Sequence, residues 1–118
     1  MAEHDPQLLK GILAPLLIAL LAEHESYGYE LVQRLHELGL ASIAEGTVYP
    51  ALTRLEREGR LGSRLVPSSA GPARKYYHPT PLGISALAES TESWRALSLV
   101  VDRVLSRPRP DVCCRPPR

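Results

Sequence analysis

The sequence predicts a mainly α-helical fold with one small β-hairpin, a winged helix-turn-helix followed by a long C-terminal helix. Three observations predict it. A short amphipathic stretch, EGTVYPALTRLEREGRL at 45–61, runs straight into a strand-like, basic segment. A second short helical pattern ending in glycine precedes it. Thr80-Pro81 opens a helical pattern that continues without a breaker to about Ser106. The boundaries that follow are 7–80 for the winged helix-turn-helix, 81–106 for the long helix and 107–118 for a tail with four prolines and four arginines, which is expected to be disordered.

Met1 to Pro6 is expected to fray. From Gln7 to Glu23 apolar residues recur at three and four (Leu9, Ile12, Leu13, Leu16, Leu17, Leu20), the stripe of a first helix. Pro15 interrupts it, so the helix either kinks there or begins near Ala14 with proline in its first turn. The stripe is wide enough for a partner subunit to cover part of it, although a plain core helix would read the same way. Ser26 is the expected N-cap of a second helix, Tyr27–Leu38, which Gly39 ends. Gly28, in its first turn, is expected to let the helix pack against a neighbour's backbone.

In the third helix, 45–58, Val48, Leu52 and Leu55 share one face while Thr47, Tyr49, Pro50, Thr53, Arg54 and Arg57 point elsewhere. Gly59 should stop it as a C′ glycine. RLGSRLVP and ARKYYHPT then read as two strands joined by SSAGPA, with Arg64, Arg74 and Lys75 along the arms. Tyr76 and Tyr77 alternate on the second strand, so one of the pair should be core. In the last helix Leu87, Trp94 and Val101 recur at seven, as do Leu97 and Val104. A seam this long is expected to meet its own copy in a two-fold dimer.

Apolar residues make up 44% of the 118, as expected of a folded domain, and there is no Phe, so Leu, Ile, Val, five Tyr and Trp94 must fill the core. Net charge is only +1, but the cations gather between 54 and 75 while the acids crowd into 3–45 and 89–102. Positive potential therefore sits on the third helix and the hairpin. The apolar run at 12–22 is too short to cross a membrane, and no basic segment of an export signal precedes it, so a cytoplasmic protein is expected. No H-E-x-x-H, G-x-S-x-G, glycine-rich phosphate loop or paired carboxylate is present, which argues against an enzyme and against any resident cofactor or metal.

SYGYEL at 26–31, GTVYPALTRLEREGRL at 46–61, RKYYHPTPLG at 74–83 and Trp94, in this order, resemble the PadR-type transcriptional regulators of the short form. The resemblance covers about residues 8 to 106. It implies a homodimeric winged-helix repressor whose helix at 45–58 enters the DNA major groove while the hairpin at 61–79 reaches the flanking backbone. By position, Thr47, Tyr49 and Pro50 match the start of the family's recognition helix, and Lys75 with Tyr77 matches its wing. Two departures stand out: Pro15 inside the first helix, and Ala44 where a capping Ser or Asp would be commoner.

On this reading Arg54, Arg57, Arg64, Arg74 and Lys75 contact phosphates, and Thr47, Tyr49 and Thr53 read bases with Arg54 as a candidate guanine reader. Leu87, Trp94, Leu97, Val101 and Val104 form the dimer interface, where two Trp94 indoles could sandwich a small planar aromatic effector; the alternative is that Trp94 simply packs. Cys113 and Cys114, adjacent on the tail, make a poor closed metal site. A thiol- or metal-responsive regulator, and a dimeric interaction module without operator binding, are the competing readings.

Overall fold

The structure is a computed structural model that describes residues 5–110; Cys113 and Cys114 lie outside the described residues. The chain runs α1 (Pro6–Glu23), β1 (Ser26–Tyr27), α2 (Gly28–Glu37), α3 (Glu45–Arg57), β2 (Leu61–Ser68), β3 (Gly71–Pro79) and α4 (Pro81–Leu105). The three strands form one antiparallel sheet in the order β1-β3-β2. This is the mainly helical winged-helix fold that the sequence predicts.

Asp5 caps α1 by accepting from the Gln7 amide, and Pro6 occupies the first turn, so Asp5 and Pro6 are ordered rather than frayed. The helix passes through Pro15 without a break and does not begin near Ala14. The residue whose carbonyl a proline ring crowds is the one four back, here Gly11, and nothing lies within 4 Å of where its side chain would stand. Gly46 and Pro50 repeat this pairing in α3, again in open space. A backbone without a β-carbon can tilt its carbonyl away from the ring. By length and composition the whole of α1 is long and apolar enough to cross a membrane, a test that the shorter run at 12–22 did not pass in the sequence. Leu13, Leu17, Ile18, Leu20 and Leu21 nevertheless pack into the core.

Ser26 does not cap α2. Its backbone pairs with Tyr77 in the sheet, its side chain is fully buried and its hydroxyl accepts from Arg34, so the helix starts two residues later behind an uncapped Tyr27. Arg34 is the tie between α1 and α2. Its guanidinium donates to the Leu20 carbonyl at 2.8 Å, the His24 carbonyl at 3.2 Å, Ser26 Oγ at 2.9 Å and Glu23 Oε1 at 3.2 Å. These carbonyls end α1, where a cation is favoured by both hydrogen bonding and the helix dipole. After Gly39 (φ 107°), His36 Nε2 donates to the Ile43 carbonyl at 2.6 Å and pins the turn that leads to α3.

The helices enclose an aliphatic core centred on Leu17, Leu31, Leu35, Val48, Leu52 and Leu55, closed by Leu61 and Tyr77 from the sheet. Gly59 (φ 80°) ends α3 as the sequence predicts. The hairpin is longer and its turn tighter than expected, because Ser68 pairs with Gly71 and leaves only Ser69 and Ala70 at the tip. The ladder is irregular between Val66 and Ser68, where Pro67 has no N–H to contribute.

Thr80 starts α4 as a genuine cap. Its Oγ1 accepts from the Gly83 amide at 3.1 Å and donates to the Gly59 carbonyl, and Gly83 packs against the Arg60 backbone. A β-carbon at position 83 would overlap the Arg60 carbonyl oxygen, an atom held by the chain rather than by a flexible side chain. Gly83→Ala is therefore expected to destabilise the fold by about 1–3 kcal/mol, although alanine alone favours helix by up to ~1 kcal/mol. Urea unfolding checks this, and an unchanged or raised midpoint would contradict the packing of α4 on Arg60.

Candidate nucleic-acid interface

Burial and contacts divide α3 into four faces. Val48, Leu52 and Leu55 point into the core. Tyr49 and Glu56 lie on the flank towards α2 and the sheet: the Tyr49 ring covers the space above Gly28, and Glu56 accepts from Lys75 Nζ at 2.8 Å and from Ser63 Oγ. Thr47 and Ala51 lie on the opposite flank, beside Lys10 and Leu13 of α1. Pro50, Thr53, Arg54 and Arg57 form the exposed ridge between the two flanks. Thr47, Tyr49, Pro50, Thr53, Arg54 and Arg57 are thus brought together around one open groove of about 780 Å³, which Lys10 also lines.

Gly28 serves a close approach, as the sequence suggests, but the neighbour is the Tyr49 ring and not a backbone. Tyr49 remains 40% exposed, and the partial desolvation of its ring raises its phenol above the ordinary value. Thr53 donates its hydroxyl to the Tyr49 carbonyl at 3.1 Å, one turn back along the helix. Ala44 offers α3 no side-chain cap, in keeping with the departure noted in the sequence.

The hairpin cations are not idle. Both terminal atoms of the Glu25 carboxylate accept from Arg64, Lys75 is held by Glu56, and the Arg74 guanidinium lies 4.5 Å from the centroid of the Tyr27 ring. Tyr27 also meets Tyr76 with ring centroids 5.3 Å apart and the rings tilted by 60°, so Tyr76, Tyr27 and Arg74 cluster on one face of the sheet. On α3, Arg54 stands 3.9 Å from Glu58, whereas Arg57 has no carboxylate at ion-pair distance among the described residues.

Tyr77 requires a correction. It is 7% exposed and faces the core, so it is the member of the Tyr76–Tyr77 pair that packs, and it is removed from the surface set expected to touch a ligand. The hydrogen-bonded Arg64 holds the Glu25 carboxyl below its ordinary value, and Lys75, then Ser63, do the same for Glu56. Glu25 and Arg34 went unnoticed in the sequence because each acts on a residue far along the chain. Lys10 carried a readable signal: it is the sole basic residue of α1.

On α4, Trp94, Leu97, Val101 and Val104 are exposed, with Trp94 at 51%, while Leu87 is half-buried against the core. Trp94 borders a groove of about 330 Å³ shared with Ile12, Pro15, Leu16 and Ala19 of α1 and Leu87, Ser90 and Thr91 of its own helix. Among the described residues no group of three His, Cys, Asp or Glu is placed to hold a metal ion.

Residues 17–89 match the model of the transcriptional regulator PadR-like family. The chain is similar to an uncharacterised protein of Lysinibacillus sphaericus, at 31% identity over 97 residues, covering 80% of this chain and 89% of the relative. It is also similar to the transcriptional regulator Rv3488 of Mycobacterium tuberculosis, at 42% identity over 86 residues, covering 71% and 74% of the two chains. Among solved structures, a PadR-like transcriptional regulator from Bacillus cereus superposes with a TM-score of 0.78 at 38% identity, covering 86% of this chain and 99% of that one. A Streptococcus transcriptional regulator gives 0.77 at 36% identity, covering 86% and 100%.

Because Glu56 is held below the ordinary carboxylate range, the stability its pair adds is complete above the unfolded value of about 4.3. It is lost as pH falls through the lower folded value. The pair is part-exposed, so Glu56→Gln should cost at most about 1 kcal/mol at neutral pH. That difference should be smaller at pH about 3 than at neutral pH, because the unfolded chain takes up the Glu56 proton below about 4.3. Urea midpoints at the two pH values check this; an equal gap at both would assign the loss to packing instead.

Proposed function

The chain belongs to the PadR-like family of transcriptional regulators, and on that premise we propose that it works as a homodimeric repressor binding an inverted-repeat operator. The family is one of DNA-binding regulators and not of enzymes. In the proposed complex α3 of each copy enters the major groove, and the β2–β3 hairpin follows the backbone beside it. The observation that carries this reading is the outer ridge of α3, where Pro50, Thr53, Arg54 and Arg57 stand exposed while three leucine and valine side chains fix the helix from behind.

Thr47 and Thr53 are the candidate base contacts, with Arg54 a candidate for a guanine edge, and Arg57 and Arg74 supply phosphate contacts. Tyr49 contributes its exposed edge while its ring sets the angle between α2 and α3. Arg64 and Lys75 reach phosphates only by exchanging Glu25 and Glu56 for them. Their net contribution to affinity is therefore smaller than that of cations with no carboxylate partner. A regulator of chromosomal DNA would work in the cytoplasm, the location proposed for this chain.

The second copy is proposed to cover α4. Trp94, Leu97, Val101 and Val104 form the seam, and the groove beside Trp94 is the place for a planar aromatic effector that relieves repression. The apolar lining of that groove from α1 and α4 supports both roles.

Sedimentation and mobility-shift measurements test the assembly together. The parent chain should sediment as a dimer and shift DNA from upstream of its own gene. Val101→Asp should sediment as a monomer and lose at least tenfold in affinity; a monomeric parent that still shifts this DNA would overturn the two-fold reading. Quenching of the single Trp94 by planar aromatic compounds tests the effector role. A panel that leaves the emission unchanged would leave Trp94 a packing residue only.

A further inference from the structure

We propose that the groove between α1 and α3 is a second DNA-backbone site, in which Lys10 on the α1 side and Arg57 on the exposed ridge contact the sugar–phosphate backbone. The inference rests on the reading of α3 as the helix that enters the major groove.

Four of the cations near α3 already have intramolecular partners: Arg64 on Glu25, Lys75 on Glu56, Arg54 near Glu58 and Arg74 on the Tyr27 ring. Lys10 and Arg57 have no carboxylate at ion-pair distance among the described residues, and both line the same open groove. Thr47 adds a hydroxyl to that groove, while Leu13 and Pro50 give it an apolar wall. Two cations, a hydroxyl and an apolar surface match a phosphodiester with its attached deoxyribose: charge for the non-bridging oxygens, carbon for the sugar face.

The position fits the width of the duplex. An α-helix with its side chains is about 10–12 Å across, and the major groove is about 12 Å wide. A helix that enters it therefore leaves each flank near one of the two sugar–phosphate strands. The Glu56 flank of α3 carries the hairpin and the Thr47 flank carries α1. One strand falls to the hairpin and the other to Lys10, with Arg57 on the ridge between them, so that α3 is gripped from both sides.

The test measures DNA affinity against salt for the full chain, with a random-sequence duplex and with the DNA upstream of the gene. Lys10→Ala should flatten the plot of log affinity against log salt by about 0.9, equally for both duplexes. Lys10→Arg should keep the parent slope, and Arg57→Ala should flatten it as Lys10→Ala does. Lys10 is exposed and its side chain has no hydrogen-bond or ion-pair partner among the described residues, so the Lys10 variants are expected to unfold at the parent midpoint. If Arg57→Ala flattens the slope and Lys10→Ala leaves it unchanged, the groove is no backbone site while the reading of α3 stands. If the parent binds neither duplex at about 50 mM salt, both are overturned.

Discussion

A helix of 25 residues that fully buries only a glycine against its own chain is the constraint on which the rest of this molecule depends. Thr80 and Gly83 fix where α4 leaves the sheet, and α1 supports its first half. Beyond that support, Val100, Val101, Val104 and Leu105 stand 39–59% exposed. Each large aliphatic side chain gains about 1.5–3 kcal/mol on full burial, so this row favours association strongly. In the proposed dimer a second copy would cover it, using the surface twice, and would fix the relative position of the two α3 helices through a rigid element rather than a loop.

The path from α4 to the exposed ridge of α3 is short and backbone-based. Gly83 rests on Arg60, and Arg60 follows the Gly59 turn that ends α3. On the other side Arg34 fastens α2 to the end of α1, and Gly28 lets Tyr49 lie flat against α2. The ridge is thus held from both ends. A ligand seated beside Trp94 would press on α1 and α4 together, the two helices that this framework connects to α3. Population of a second α4 arrangement, rather than distortion of α3 itself, is the economical route from such a ligand to DNA affinity.

What could be read in advance follows the range of the interactions. Gly39, Gly59 and the Thr80-Pro81 pair are local devices, and each stands in the structure where its neighbours in sequence say it should. Ser26 was misread because its cap signature is equally local, yet a strand partner fifty-one positions away, Tyr77, and the Arg34 guanidinium compete for it. Arg64 with Glu25 is a contact across 39 residues, invisible to periodicity. Tyr77 was placed with the surface residues on family position alone, whereas the pleat of β3 turns it inward with Lys75 left to reach Glu56. Among the candidate contacts, then, the positions on α3 were legible from its 3.6-residue period, and the charge pairing of the hairpin was not.

The most direct test of the account is the distance between the two α3 helices in solution. Pulsed dipolar spectroscopy on Arg57→Cys, spin-labelled in a chain carrying Cys113→Ser and Cys114→Ser, reports it without DNA. A distribution centred near the one-turn separation of B-DNA, about 34–36 Å, is the predicted result. Absence of any dipolar signal, or a distribution centred far from that spacing in the presence of DNA as well as its absence, would contradict it.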